Sequence, residues 1–109
     1  MDVNPKKQIH PEFQRYIDQQ PYSVVLDGLK FTIDNDVFPP DMGKCSQNLA
    51  RIAMGYQART ALDMGCGSGY LALSMRRGGV PEVWACDIHG PAVDCARRNM
   101  DLNAEVGPV

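Results

Sequence analysis

The sequence lacks the long apolar runs that mark a secretory leader or a membrane span. The segment from Met1 to His10 is polar, and no stretch approaches the roughly 20 apolar residues that cross a bilayer. Internal repeats and low-complexity segments are also missing. These absences favour a cytoplasmic, globular protein with no membrane partner.

Histidine is scarce and the cysteines are scattered. The chain has two histidines, and its four cysteines, Cys45, Cys66, Cys86 and Cys95, include no Cys-x-x-Cys pair. Zinc sites and the disulfide frameworks of small secreted domains need clustered ligands or paired cysteines. The sequence therefore predicts reduced thiols and no metal site.

An excess of basic charge is missing as well. Eleven Lys and Arg stand against 13 Asp and Glu, giving a formal net charge of -2. Proteins that bind nucleic acid through bulk electrostatics carry a basic excess. The composition therefore gives no indication of such a partner.

What the sequence does contain is a glycine turn between two apolar runs that each end in an acid. Residues 60–63 end at Asp63, Gly65, Gly67 and Gly69 follow at alternate positions, and the second run ends at Asp87. Glycine lets a backbone turn sharply and lets a ligand approach closely, because it has no Cβ. An acid about 20 residues beyond such a turn can accept hydrogen bonds from ribose hydroxyls. This segment predicts a nucleotide-type cofactor site.

The spacing of the glycines distinguishes between cofactors. A dinucleotide site reads G-x-G-x-x-G, and Tyr70 stands where its third glycine would fall. The pattern D-x-G-x-G-x-G from Asp63 to Gly69 instead resembles motif I of the class I S-adenosylmethionine-dependent methyltransferases, and Asp87 resembles their ribose-binding acid. A dinucleotide-dependent oxidoreductase half-domain and a purely structural turn are the alternatives.

The resemblance implies roles in binding the cofactor S-adenosylmethionine. The glycine backbone would wrap the methionine end of the cofactor, with Asp63 near its ammonium group. Asp87 would accept from the ribose hydroxyls, and Ile88 would pack on the adenine. Phe38 would either close over the cofactor or anchor a hairpin upstream. No side chain is assigned to catalysis.

Several of these positions have a simpler interpretation. Asp63 could only cap the turn, and Asp87 could be the N-cap of the next helix. Cys66 stands at a helix N-terminus, where a thiol pKa can fall. No histidine follows it at a useful position, so we expect a small side chain within the cofactor turn. His10 and His89 are expected to face solvent.

The patterns before the turn predict a helix, a hairpin and a second helix. The first helix begins at Pro11 and ends before Pro21, and the Asp27-Gly28 pair between two β-prone runs predicts a type I′ hairpin turn. A loop follows over 34–40. A second amphipathic helix is expected near 46–55, with Ser46 or Asp41 as its cap. Its apolar stripe is Leu49, Ile52, Ala53 and Tyr56.

The patterns after the turn predict a βαβα unit with parallel strands and a right-handed crossover. A helix over 70–77 should end in a left-handed cap at Gly78-Gly79. We expect the strand at 60–63 to be buried on both faces, and Trp84 and the methionines to lie in or near the core. In the last helix, 91–103, the predicted buried face is Val93, Ala96 and Met100, with an exposed pair of Asp94 and Arg98.

The predicted fold class is α/β, a partial doubly wound (Rossmann-like) methyltransferase fold preceded by a helix and a β-hairpin. We divide it into residues 1–40, the N-terminal helix, hairpin and loop, and residues 41–109, the S-adenosylmethionine-binding βαβα half. A chain of 109 residues is too short for a complete doubly wound sheet with helices on both faces.

The region before motif I carries a second resemblance. The hairpin, the Val37-Phe38-Pro39-Pro40 loop and the following helix resemble the same stretch of the protein-glutamine and ribosomal RNA guanine methyltransferases. This implies methyl transfer to a nitrogen on a protein, an RNA or a small molecule. The Asn-Pro-Pro-Tyr type motif of those families does not occur here, and the chain ends near Val109, before the third strand would start. The parallel strands would then be left with an unpaired edge, and a second chain or a homo-oligomer could complete the sheet. The alternative is a truncated fragment that binds cofactor or a partner without catalysis.

Overall fold

The structure, a computed structural model, describes residues 10–109 and is of mixed α/β type, as predicted. The polar segment discussed above falls outside these residues except for His10. The elements, in chain order, are α1 (Pro11–Asp18), β1 (Tyr22–Leu26), β2 (Leu29–Ile33), α2 (Cys45–Met54), β3 (Thr60–Met64), α3 (Tyr70–Arg77), β4 (Glu82–Cys86), α4 (Gly90–Leu102) and a short 3-10 helix (Ala104–Val106). No helix in this part of the chain is long and apolar enough to cross a membrane.

The predicted hairpin is confirmed. Strands β1 and β2 pair antiparallel, and both turn residues have positive φ, 53° at Asp27 and 80° at Gly28, as a type I′ turn requires. The turn is also tied to α3, because the Tyr70 hydroxyl donates to the Asp27 carboxylate at 2.9 Å and the Arg77 guanidinium donates to the Asp27 carbonyl. The hairpin is thereby fixed to the helix that follows the glycine turn.

The predicted parallel pair is also confirmed. Strands β3 and β4 pair in parallel, with Asp63 opposite Ala85, and α3 connects them. Helix α3 ends as expected, with Gly79 in the left-handed region at φ 105°. The Val80 N–H donates to the Met75 carbonyl and the Gly79 N–H to the Arg76 carbonyl, both at 3.2 Å, which is the Schellman pattern of bonds.

Helix α3 stands at the centre of the core. One side of it packs on the hairpin and α2, and the Tyr70 ring lies 5.5 Å from that of Phe31. The other side packs under the parallel pair. The first cluster of buried residues is Leu29, Phe31, Ile33, Ala50, Tyr70 and Leu73, and the second is Ala72, Met75, Val80 and Val83. Because α3 starts at the glycine turn, this packing fixes the position of the turn.

The prediction that β3 is buried on both faces is wrong. Alternate residues of the pair, Leu62, Met64 and Trp84, are 55%, 77% and 62% exposed, and we call these three residues the open face. Asp63 and Val83 point to the other face, toward α3. The expected core position of Trp84 is therefore wrong, as it is for Met64 and Met54, whereas Met75 is buried. Apolar sequence indicates a preference for burial, but the layer that would cover this face is not among the described residues.

Helix α2 forms where predicted, but its apolar stripe is exposed. Leu49, Ile52 and Tyr56 are all more than half exposed, and Ala50 is the buried residue of the helix. Periodicity predicted the helix correctly because it reports which residues share a face, whereas burial of that face depends on a neighbouring element.

The cap predicted for α2 is wrong. The N-cap residue is Lys44, and no side chain makes a capping bond there, neither that of Ser46 nor that of Asp41. Asp41 instead accepts a 2.6 Å hydrogen bond from the Tyr22 hydroxyl. The Asp41 side chain therefore bonds to a residue of β1 and not to the N–H groups at the start of α2.

Helix α4 also differs from its prediction in detail. Its buried residues are Ala92, Cys95, Ala96 and Asn99, while Val93 and Met100 are half-buried. The predicted i, i+4 pair is wrong, because the Arg98 guanidinium pairs with the carboxylate of Asp34, at the end of β2. The helix is thus held against the hairpin.

Candidate functional site

A cleft of about 300 Å³ lies beside the glycine turn. Its walls come from the loop before α2, the first turns of α2, the end of β3 and the start of α3. The residues that line it are Phe38, Pro40, Ser46, Leu49, Asp63, Met64, Gly65, Cys66, Gly67, Ser68, Tyr70 and Leu71. Five of the eight predicted site residues therefore meet here, and Gly69, Asp87 and Ile88 lie outside the lining. The volume is at the lower end of the range for small-molecule sites.

The glycine turn is attached to the end of β4 through its backbone. The N–H groups of Gly65 and Cys66 both donate to the Cys86 carbonyl, at 2.8 and 2.9 Å. Gly65, Gly67 and Gly69 have φ values of 78°, 53° and 85°, in the left-handed region where a side chain is strained. Glycine is therefore required by the turn itself.

The three glycines differ in what surrounds them. A Cβ on Gly69 would lie 3.3 Å from the Ala96 Cβ, because α4 crosses close to the turn there. A Cβ on Gly65 or Gly67 would meet nothing within 4 Å. Gly69 thus allows two elements to approach, whereas the other two leave open space beside the cleft.

Gly69→Ala should destabilise the protein more than Gly65→Ala. Both substitutions force alanine into the left-handed region, at about 1–2 kcal/mol. Gly69→Ala adds crowding against α4, at about 1–3 kcal/mol. Urea unfolding of the two variants measures the difference. Equal midpoints would contradict the close packing of α4 on the turn.

Asp63 is a buried residue of β3, and its carboxylate reaches the start of α3. It is 7% exposed, and its Oδ2 accepts a 3.2 Å hydrogen bond from the Ala72 N–H. Burial raises the pKa of Asp63, and the charge of Asp87 contributes in the same direction, while the bond from Ala72 opposes both. The carboxylate therefore caps the helix and also faces the cleft, where a cation would favour its ionised form.

Asp87 braces the glycine turn from the end of β4. Its two carboxylate oxygens accept from the His89 N–H at 2.9 Å and the Gly67 N–H at 3.0 Å. These two bonds lower the pKa of Asp87, so the group stays ionised. It is not the N-cap of α4, since His89 occupies that position. A carboxylate has about four lone-pair sites, which leaves acceptor capacity for a ligand.

The remaining predicted residues differ in environment. Burial, followed by the charges of Asp63 and Asp87, raises the pKa of Cys66 to about 11, so its thiol is protonated at neutral pH and unsuited to act as a nucleophile. Ile88, beside Asp87, is fully exposed. Phe38 lines the cleft, and its ring lies 5.7 Å from that of Phe13. It thus contacts both the cleft and α1.

Sequence reasoning did not place Pro40, Ser46 or Leu49 in the site. Leu49 belonged to the predicted stripe of α2, and the structure turns it toward the cleft. A half-exposed apolar residue beside a glycine turn is the signal that would have found it.

The charge of the cleft distinguishes between the two cofactor types. Within residues 10–109, no Lys or Arg lines this cleft. The buried Asp63 carboxylate already accepts from the Ala72 N–H, in the first turn of α3. A pyrophosphate needs helix N–H groups or basic side chains and would meet a carboxylate here. A ligand with cationic groups fits this charge. The glycine turn between two parallel strands, with an acid near the carboxyl end of each strand, is the arrangement of the class I S-adenosylmethionine-dependent methyltransferases.

Comparison with known proteins identifies the family within this class. The family model described as ribosomal protein L11 methyltransferase (PrmA) matches residues 44–107, which is more than half of the chain. The chain therefore belongs to the ribosomal protein L11 methyltransferase family.

Individual relatives carry the same name. The chain is 30% identical over 105 residues to the ribosomal protein L11 methyltransferase of Thermoanaerobacter sp. (strain X514), covering 94% of this chain and 32% of the relative. It is 37% identical over 51 residues to that of Helicobacter pylori (strain J99), covering 47% and 16%. For Enterococcus faecalis (strain V583) the identity is 48% over 44 residues, covering 40% and 14%. The chain thus spans about a third, or less, of the relatives' length.

Proposed function

We propose that this chain supplies the S-adenosylmethionine-binding half of a methyltransferase that acts on a nitrogen of a protein. The observation that carries the proposal is the acidic, glycine-walled cleft at the start of α3, in a chain of the ribosomal protein L11 methyltransferase family. When bound, S-adenosylmethionine supplies a methyl group that the positive sulfonium has already activated. The protein then has to bind, orient and shield the donor.

Each predicted site residue has a part in this proposal. Asp63 would bind the ammonium of the cofactor from the cleft floor, with the open backbone of Gly65 and Gly67 beside its methionine end. Asp87 would accept from the ribose hydroxyls while it holds the Gly67 N–H. Ile88 would lie against the adenine, which gives a function to a fully exposed isoleucine. Phe38 would cover the cofactor, with Cys66 as a neutral wall and Gly69 as the contact with α4.

The acceptor is proposed from the relatives and from the upstream segment. The relatives are named as methyltransferases of ribosomal protein L11, so we propose a protein acceptor for this chain. Nitrogen is proposed from the resemblance of the 37–40 loop to that of the glutamine and guanine methyltransferases. A protein acting on ribosomal components would work in the cytoplasm, and four free thiols suit a reducing compartment.

A complete enzyme would need more structure than residues 10–109 provide. Parallel sheets are normally covered on both faces, and here the open face is exposed. We propose that further strands and helices cover it, from the same polypeptide or from a second chain, and that the acceptor binds there. Without them, the chain would bind cofactor but transfer no methyl group.

Titration calorimetry with S-adenosylhomocysteine, the product form of the cofactor, tests the proposal. We expect saturable binding with one site per chain, and no binding of NADH, because no basic side chain among the described residues lines the cleft for a pyrophosphate. Binding of NADH in preference to S-adenosylhomocysteine would instead support the oxidoreductase alternative.

A further inference from the structure

Asn99 connects α4 to the glycine turn. It is fully buried, and its side-chain NH₂ donates to the Ser68 carbonyl at 2.8 Å and to the Thr32 carbonyl at 3.0 Å. Its side-chain oxygen accepts from the Thr32 N–H at 2.8 Å. Both amide protons and the oxygen therefore have partners, and one side chain joins the turn, α4 and β2.

The carbonyl that Asn99 holds belongs to the Ser68-Gly69 peptide, whose N–H donates to the Cys66 carbonyl at 2.9 Å within the turn. Ser68 stands between Gly67 and Gly69, both with positive φ, and glycines have a wide choice of backbone conformations. The Gly67 N–H is held by Asp87 on one side of the turn. Asn99 holds the Ser68 carbonyl on the other, so two side chains hold the Cys66-Gly67 and Ser68-Gly69 peptides of the cleft wall, which are separated by a single peptide.

Asn103, one helical turn later, provides an internal comparison. Its oxygen accepts from the Lys30 N–H at 2.9 Å, and its NH₂ donates to the Lys30 and Asn99 carbonyls at 2.8 and 2.7 Å. It is also buried. Both asparagines therefore bind the edge of β2 that β1 leaves unpaired, and only Asn99 reaches the glycine turn.

We propose that Asn99 is a positioning residue for the cofactor turn: by holding the Ser68 carbonyl it fixes the glycine backbone in the form that receives the cofactor. Asn103 attaches α4 to the hairpin and has no such effect. The inference rests on the proposed cofactor site. Loss of the Asn99 donor would leave the Ser68 carbonyl without its partner in a buried position, and the turn would rearrange to reach water.

The matched variants Asn99→Asp and Asn103→Asp test this role. Each replaces one NH₂ by an oxygen and keeps the acceptor for the β2 N–H, and each should lower the midpoint of unfolding. In the full chain at a temperature where both are folded, we expect Asn99→Asp to bind S-adenosylhomocysteine about tenfold more weakly and Asn103→Asp to bind it as the original does. Equal affinities in the two variants would overturn the proposal.

Amide NMR of the ligand-free chain distinguishes a change in the glycine turn from a general loss of stability. Asn99→Asp should shift the Gly67 and Gly69 amide signals, and Asn103→Asp should leave them in place. If the original chain does not bind S-adenosylhomocysteine, the proposed function fails, while these shifts still decide whether Asn99 positions the turn. Unmoved signals in Asn99→Asp would refute the positioning role.

A measurement on the original chain covers the case in which Asn99→Asp does not fold. The Asn99 side-chain amide protons should exchange slowly, and S-adenosylhomocysteine should slow them further. The Asn103 protons should not respond to the ligand. Rapid exchange at Asn99, or an equal response at both residues, would contradict the inference.

Discussion

Replacing Asp63 by asparagine is expected to weaken the binding of S-adenosylhomocysteine by about ten- to a hundredfold without destabilising the fold. The amide oxygen of asparagine can still accept from the Ala72 N–H, so the cap on α3 is retained. What is lost is a charge-assisted contact with the ligand ammonium, worth about 1.5–3 kcal/mol. Calorimetry measures the affinity, and thermal melting of the ligand-free protein measures the stability.

The pH dependence of the same variant gives an independent check. Because burial raises the pKa of Asp63 above its ordinary value of 3.8, the folded state holds this proton more tightly than the unfolded chain does. The stability of the original chain relative to Asp63→Asn should therefore fall as the pH rises from 3.8 through the folded pKa, and should stay level above it. Affinity for the ligand should rise over the same interval in the original chain only, because the ionised carboxylate attracts the ammonium.

These two outcomes separate the binding role of Asp63 from a capping role. A residue that only capped the helix would leave affinity unchanged in Asp63→Asn. A variant that lost stability in proportion to its loss of affinity would show that the carboxylate acts through the fold. Neither result fits the proposal.

Replacing Asp87 by alanine is expected to weaken S-adenosylhomocysteine binding by at least about tenfold. The substitution removes the proposed acceptor for the ribose hydroxyls and leaves the Gly67 N–H without its partner. Asp94→Ala is the matched control, because it removes an equal charge from an exposed position on α4. Calorimetry measures the affinity of both variants. A loss in Asp87→Ala alone is due to the Asp87 side chain, whereas an equal loss in Asp94→Ala would be due to the change in net charge. Equal affinity in Asp87→Ala and the original chain would refute the ribose assignment.

The sequence predicted the fold where the signals are local. The left-handed residues of the hairpin turn, the glycine turn and the end of α3 were found because glycine and Asp-Gly pairs have few other uses at such positions. The parallel pairing of β3 and β4 followed from their order around α3. The turns depend on residues within a few positions of one another, and the strand pairing depends on a connection through the single helix α3.

The sequence failed where partners lie far apart in the chain. Arg98 had an acid one helical turn away, yet its partner is Asp34, 64 positions earlier. The Asn99 network joins residues 31 and 67 positions apart, and nothing in local sequence indicates its targets. Trp84 has a large apolar side chain of the kind usually found in a core. Its burial, however, depends on a layer that the described part of the chain does not contain.

The candidate site shows the same division. The glycines and the two acids could be recognised because a fixed spacing carries them, whereas the wall contributed by Pro40, Ser46 and Leu49 depends on how α2 packs. Asp63 shows both what the sequence predicts and what only the structure reveals. Its position was predicted, but its combination of a capping bond with burial required the structure.

The position of Trp84 gives the protein an optical property of its own. It is the single tryptophan of the chain, and its indole N–H donates to Glu82 at 2.8 Å while most of the ring faces solvent on the open face. The wavelength of its emission therefore reports the polarity of that face alone, without labelling. Any chain segment or protein that covers Leu62, Met64 and Trp84 would exclude water from the indole and shift this emission to shorter wavelength, so the fluorescence of the unlabelled protein reports whether this face is covered.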